Sequence, residues 1–451
     1  MNSDSTLSTR RPPARHAWLL ALALAATVPL AGAEQTWRTV DQLTDEERAL
    51  YDPDTAAPRD ATLTYAPAEA YPFEAPYTAE EMGYRASEFV HIGRWPHSLI
   101  DVFGVITSSG YINQGQSVSY VSLDGEPGFP GYIKGTAAGE VYSRWFMFSV
   151  FPPETEAEQQ LWVNYRTDAD KRTKMDYFVY SPQLRRVRRF PQPRRDQRFP
   201  DNAQTFDDVI GRDPWEFDWS LVGADVITET VRFPNTRPTI TLNRPEQGFV
   251  EVNVKDIRPM GAAYPHYRPD GGVDCWVVKA VARAELLPDY KEKTLVFWLD
   301  RHHFYPLRME KYDHEGKLIM IEVRNAELVN AAREQLGYAA LMTVYWDLEH
   351  DIMSYSVHDG IRVHEWTPTE QAMIFTPEFM RRQWQYEPIK SLTLIGDPEQ
   401  YFLRPQLLRE RFPDLRRIEL SPVLAQRYAA QENAGRLVFE STDDGTARDT
   451  R

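Results

Sequence analysis

Extended runs that are apolar on both faces constrain this chain more than anything else in it. Across residues 141–151, Trp145 and Met147 share one face, while Phe146, Phe148 and Val150 share the other. A strand of that kind needs cover on both sides. The pattern returns at 275–281, at 318–323, and at 294–299, where Leu295, Phe297 and Leu299 lie opposite Val296 and Trp298. Further extended runs occupy 98–112, 117–123, 161–165, 228–233, 239–242 and 249–254. Strands follow strands through turn-length spacers such as Asp313-His314-Glu315-Gly316, without helices between them. The spacing predicts a mainly β (α+β) fold built on an antiparallel sheet.

Two arrangements satisfy such strands. Helices, a second sheet or the chain's own loops can cover both faces. Alternatively, the sheet curves into a half-barrel whose concave face is an apolar cavity. The aromatic load of 12 Trp, 23 Tyr and 21 Phe suits either, so periodicity leaves both open.

The N-terminus carries targeting information. Arg10, Arg11, Arg15 and His16 precede a run of mostly Ala and Leu, and Ala31-Gly32-Ala33 predicts cleavage before Glu34. The run is too short for a permanent span. The one cysteine, Cys275, lies far from that point, so neither a lipid anchor nor an internal disulfide is expected. Residues 1–33 thus read as a signal peptide and the mature chain as periplasmic, with no transmembrane segment. Residues 34–95, rich in proline and acids, read as an arm with helical character at 79–89. Residues 96–330 form the β-domain. Residues 331–435 make a mixed extension, with a hairpin at 339–357, helical stretches in 368–386 and a helix at 422–432. Residues 436–451 read as a disordered tail.

Charge is unevenly distributed. The formal net charge of -15 argues against a general nucleic-acid binder. Between residues 171 and 200, however, ten Lys or Arg stand against two Asp. A Ser181-Pro182 turn leads into Arg185, Arg186, Arg188 and Arg189, which fall on both faces of an extended run. That fits a hairpin at a sheet edge or rim, its stems on apolar surface and its heads in water or on anions.

No catalytic signature appears: HExxH, G-x-S-x-G, P-loop and GxGxxG are all missing. His302, His303, His314, His350, His358 and His364 lack the close spacing of a zinc site, so no metal or cofactor is expected. Asp207, Asp208, Glu216 and Asp218 could be an acid–base set, but beside the arginines they read as ion pairs and caps. Cys275, followed by Trp276, reads as a buried, inert thiol.

The segments DYFVYSPQLRRVRRFP, TFDDVIGRDPWEFDWSLVG, DCWVVKAVARAEL and TLVFWLDRHHFYPLRMEKYD resemble the domain of unknown function 1329 family. The likeness runs from about Gly83 to Leu348. That family is similar to the LolA and LolB outer-membrane lipoprotein-sorting carriers. The resemblance implies an incomplete, curved barrel with a few covering helices over a cavity for acyl chains. It also implies a resistance-nodulation-division exporter or an outer-membrane protein as partner.

On this reading the chain is a non-catalytic carrier or accessory factor for a lipid or other hydrophobic molecule. Its lining is drawn from the pool Trp145, Met147, Phe178, Trp276, Phe297 and Trp298, of which only some can point inward, since Phe297 and Trp298 face opposite ways. Arg185, Arg186, Arg188 and Arg189 form a rim for an anionic head group or an acidic partner. The competing readings are an adaptor whose sheet is filled by its own side chains and, less favoured, an enzyme with convergent carboxylates or histidines.

Overall fold

The computed structural model describes residues 36–381, apart from 70–72, 88–96, 108–111, 124–136, 152–154, 156, 200–201, 229–238, 245–247, 254–257, 262–263, 329–337, 351, 364–371 and 373. The expected signal peptide, the helix at 422–432, the tail and His364 lie outside the described residues. So do nearly all of the 228–233 strand and most of the helical stretches in 368–386.

In chain order the elements are β1 (Arg38–Thr39), α1 (Asp45–Ala49), α2 (Ala79–Ser87), β2 (His97–Thr107), β3 (Ile112–Leu123), β4 (Val141–Phe151), β5 (Gln159–Tyr165), β6 (Met175–Ser181) and β7 (Arg186–Phe190). Then come α3 (Phe206–Ile210), β8 (Phe217–Ile227), β9 (Thr239–Arg244), β10 (Gly248–Asn253), β11 (Val273–Ala282), β12 (Thr294–Asp300), β13 (Pro306–Tyr312), β14 (Leu318–Leu328), β15 (Tyr338–Asp347) and β16 (Ile352–Val363).

Fourteen strands make one open antiparallel sheet in the order β1-β8-β11-β12-β13-β14-β15-β16-β2-β3-β4-β5-β6-β7; β9 and β10 pair separately. The hairpin expected at 339–357 forms as β15 and β16, which sit between β14 and β2. Chain on both sides of position 330 therefore shares one sheet. β8 was not foreseen, because Trp215 to Trp219 reads as a turn-rich stretch.

The expectation of two apolar faces holds, and each face has its own cover. On one side, Cys275, Val277, Val296 and Trp298 pack with Tyr305, Leu307 and Met260. On the other, Leu221, Trp276, Val278 and Leu299 pack under Ala79, Met82 and Ala86 of α2. The helix begins at a capping box, Thr78 N–H donating to Glu81 Oε2 (2.9 Å) and Glu81 N–H to Thr78 Oγ1 (3.2 Å). It then lies so close to β8 that a Cβ on Gly83 would stand 2.3 Å from the Trp219 ring. Only glycine permits that approach.

The sheet is wound, and the connection from β7 to β8 shows it. Lys311 on β13 pairs with Asp208, and Lys174, just before β6, pairs with Asp213. In a flat sheet β13 and β6 would lie about 38 Å apart, eight spacings of roughly 4.8 Å. Carboxylates five residues apart on one short segment hold both lysines, so the sheet curves around that segment.

Candidate functional site

The concave face is occupied by this connection. Its local structure follows from repeated caps: Thr205 N–H donates to Asp208 Oδ2 (2.8 Å) at the start of α3, and Asp213 N–H to Glu216 Oε2 (3.0 Å) at the short turn that follows it. The apolar side chains of α3, Phe206, Val209 and Ile210, enter a cluster with Trp162 and Met175, against which Trp145, Met147, Tyr177 and Phe199 pack. At the other end Ala203 packs with Met320 and Tyr345, and its N–H donates to Ser354 Oγ (3.2 Å).

The polar side chains of the same segment are spent on one another and on the sheet. Asp213 accepts from Arg166 (2.8 Å) and pairs with Lys174 (2.8 Å). Arg195 reaches Asp207 and Glu216, each at 2.7 Å. Arg212 donates to Asp208 (2.9 Å), Glu292 (2.5 Å) and the Tyr290 hydroxyl (3.0 Å). Lys311 bridges Asp208 and Glu292. Five cations thus meet five carboxylates away from water. Burial alone would raise the Asp213 carboxyl, but the Lys174 and Arg166 charges hold it down at about 2. Burial pushes the Lys174 ammonium below the usual lysine range, with Asp213 and Glu216 opposing. The arrangement stabilises a geometry. Asp207, Asp208 and Glu216 are ion-pair partners, Asp208 and Glu216 also serve as caps, and Asp218 is exposed on Arg283 (2.7 Å).

The six aromatic and methionine candidates divide between the faces. Trp276 lies beneath α2, 1% exposed, with the Arg301 guanidinium 5.0 Å from its ring centre. Phe297 lies on the same face. Trp145 and Met147 face α3. Trp298 points to the opposite face, its indole N–H donating to Asp225 (2.9 Å) and its ring edge-on to Trp37 at 5.6 Å. Phe178 alternates with Tyr177, so it too is turned away from α3.

Between the last turn of α2, the connection and the sheet lies a cavity of about 40 Å³. It is lined by Ala86, Ser87, Arg212, Phe217, Trp219, Leu295, Phe297, Pro306, Met309, Glu322 and Arg324. Of the six candidates only Phe297 reaches it. Phe217 and Trp219 were missed because β8 was missed. Alternation of Phe217, Trp219 and Leu221 was the available signal.

A second recess, about 210 Å³, is lined mostly by polar side chains, among them Asp196, Arg198, Lys291, Glu292, Asp347, Glu349 and His350. Asp347, Glu349 and His350 bring ligand-type atoms together. Here Asp347 caps the turn after β15, accepting from the Glu349 and His350 amides (2.9 and 3.2 Å) and pairing with Arg198 (3.2 Å) and His350 (2.8 Å). Lys291 takes Glu349. The carboxylates already have their partners.

Of the other described histidines, His266, His302, His303 and His314 sit in turns, while His358 lies within β16, paired with Asp101. His314 Nε2 lies 2.9 Å from the Tyr290 carbonyl oxygen. The His266 and His302 rings stack at 3.4 Å, and His303 lies 3.5 Å from Asp300. Burial pushes the His302 imidazole below its ordinary range, with the neighbouring His266 adding to it.

The arginines predicted for a rim lie on the last hairpin of the sheet. Arg185, in the left-handed region (φ 49°), turns the chain into β7. Arg186, Arg188 and Arg189 are exposed, and Arg189 pairs with Asp176. Leu184 and Phe190 are also open to solvent, at 53% and 42%. β7 ends the strand order.

Among the described residues no helix is long and apolar enough to cross a membrane. No curated protein matches the chain. Among solved structures it is similar to a DUF1329 family protein from Desulfovibrio piger at 13% identity (TM-score 0.44), covering 66% of this chain and 95% of that one. It is also similar to a putative outer membrane lipoprotein-sorting protein domain from Vibrio parahaemolyticus at 12% (TM-score 0.45; 67% and 100% covered). A LolA superfamily protein from Nitrosomonas europaea follows at 11% (TM-score 0.39; 67% and 99%). The family described as "Protein of unknown function (DUF1329)" matches residues 63–381, and the chain belongs to that family.

Proposed function

We propose that this protein is a non-catalytic periplasmic carrier, or accessory factor, for a lipid or other hydrophobic molecule, and that cargo enters beneath α2. The observation that carries this reading is the cavity at the foot of that helix, with its apolar walls of Phe217, Trp219, Leu295, Phe297 and Met309. α2 rests on the sheet through side chains, so it can lift without breaking a strand ladder. Ligand pockets usually offer about 300–1,000 Å³; at about 40 Å³ the closed cavity takes a head group. A chain needs the apolar face that α2 now covers, where each buried methylene contributes ~0.8 kcal/mol. Trp276 and Phe297 would line that face.

The test is saturable uptake of the fluorescent apolar probe N-phenyl-1-naphthylamine. Ala86→Leu, which fills the cavity from the helix side, should abolish uptake while the fold survives. Equal uptake by both proteins would remove the site.

A second reading, an adaptor docking on an envelope complex such as a resistance-nodulation-division exporter or an outer-membrane protein, is favoured by a different observation. The connection with α3 fills much of the concave face, and the arginine hairpin ends the sheet. There Arg185, Arg186 and Arg188 would meet an acidic surface, with Leu184 and Phe190 as apolar contacts.

A further inference from the structure

The cavity under α2 has one polar corner, and its chemistry narrows the cargo. Glu322, only 1% exposed, accepts at Oε1 from Arg324 Nε (2.6 Å). Its other oxygen, Oε2, is buried and meets no donor among the described residues. A carboxylate oxygen shielded from water and left without a donor is strongly destabilising, so such atoms are rare unless something fills the gap. Glu322 and Arg324 form a neutral pair, and Arg212 beside them already serves Asp208, Glu292 and Tyr290. A cationic head would enter next to two guanidinium groups. An anionic head would face the Glu322 charge in a water-poor space. A neutral group that donates one hydrogen bond meets neither penalty.

We infer that the cavity receives the hydroxyl end of a neutral amphiphile, the hydroxyl donating to Glu322 Oε2 while the adjoining carbons lie against Trp219, Phe297 and Leu295. This rests on the carrier reading and adds the class of cargo to it. About 40 Å³ admits a hydroxyl with its first carbons, and also a single water. The water is the rival occupant that the experiment has to exclude.

The experiment compares 1-decanol, its methyl ether and decanoate as ligands for the purified full chain, by calorimetry and by quenching of tryptophan fluorescence. The three probes share a chain length and differ in donating a proton, lacking one to donate, or carrying a negative charge. The hydroxyl should bind about tenfold or more tightly than either of the others, as a hydrogen bond to a buried charged acceptor requires. In Glu322→Gln, whose amide can turn a donor towards the cavity, the advantage over the ether should collapse. Binding of all three with equal strength, or tighter binding of decanoate, would overturn the inference, leave the corner to water and spare the carrier reading. Failure of all three to bind would overturn both. The wild-type comparison decides the matter even if Glu322→Gln does not fold.

Discussion

Asp213 Oδ2 stands 2.8 Å from Lys174 Nζ, with both side chains wholly shielded from water. Removing either partner leaves a buried charge uncompensated, which costs about 3–5 kcal/mol. Asp213→Asn and Lys174→Met should each lower the urea midpoint accordingly. The double variant should lose clearly less than the sum of the two. An additive result in that cycle would mean that the pair does not couple. The pH dependence has a definite sign: the Asp213 carboxyl is held at about 2 against an ordinary 3.8. Its contribution is therefore full above about 4 and is lost as pH falls through about 2.

Glu81, at the third position of α2, titrates in the opposite sense. Burial, and then the nearby Glu69 carboxylate, raise it to about 7, while the Thr78 amide opposes them. A raised carboxyl stabilises the fold fully below its ordinary 4.5 and loses that effect as pH rises through about 7. Amide hydrogen exchange in α2, corrected for intrinsic rate, should therefore be better protected at mildly acidic than at alkaline pH. Glu81→Gln should flatten the difference. Protection that rises with pH would contradict the assignment.

Cys275 is buried in the core of the face opposite α2, and burial pushes its thiol well above the ordinary range. Ellman's reagent should leave the native protein untouched and titrate one thiol after denaturation. Prompt native reaction would place the residue elsewhere.

Charge reversal at Arg186 and Arg188 tests the hairpin. Both are exposed, so Arg186→Glu with Arg188→Glu should change stability by no more than about 0.5 kcal/mol per site. Capture of an acidic partner should fall and should respond steeply to salt in the parent protein. Undiminished capture would return the arginines to edge protection alone.

Much of this architecture was legible because strands announce themselves through period two. The double-faced runs at β4, β11 and β12 formed where expected, and the opposition of Phe297 to Trp298 held. The arginines at 185–189 fell on an exposed terminal hairpin because charge on both faces suits little else. What sequence could not supply was pairing at a distance. Nothing near Asp208 names Lys311 as its partner across 103 positions, and nothing near Asp213 indicates that the sheet winds around it. β8 escaped because two tryptophans between acids look like a turn until Pro214–Glu216 is seen to be a single 3-10 turn leading into a strand.

Whether a hydrophobic molecule is carried under α2 can be read from native mass spectrometry of the full chain purified without detergent, followed by solvent extraction. The expected outcome is a reproducible added mass that extracts as a neutral, hydroxyl-bearing lipid and disappears in Ala86→Leu. A bare polypeptide mass that also stays unchanged on adding lipids would contradict it and leave the adaptor reading standing.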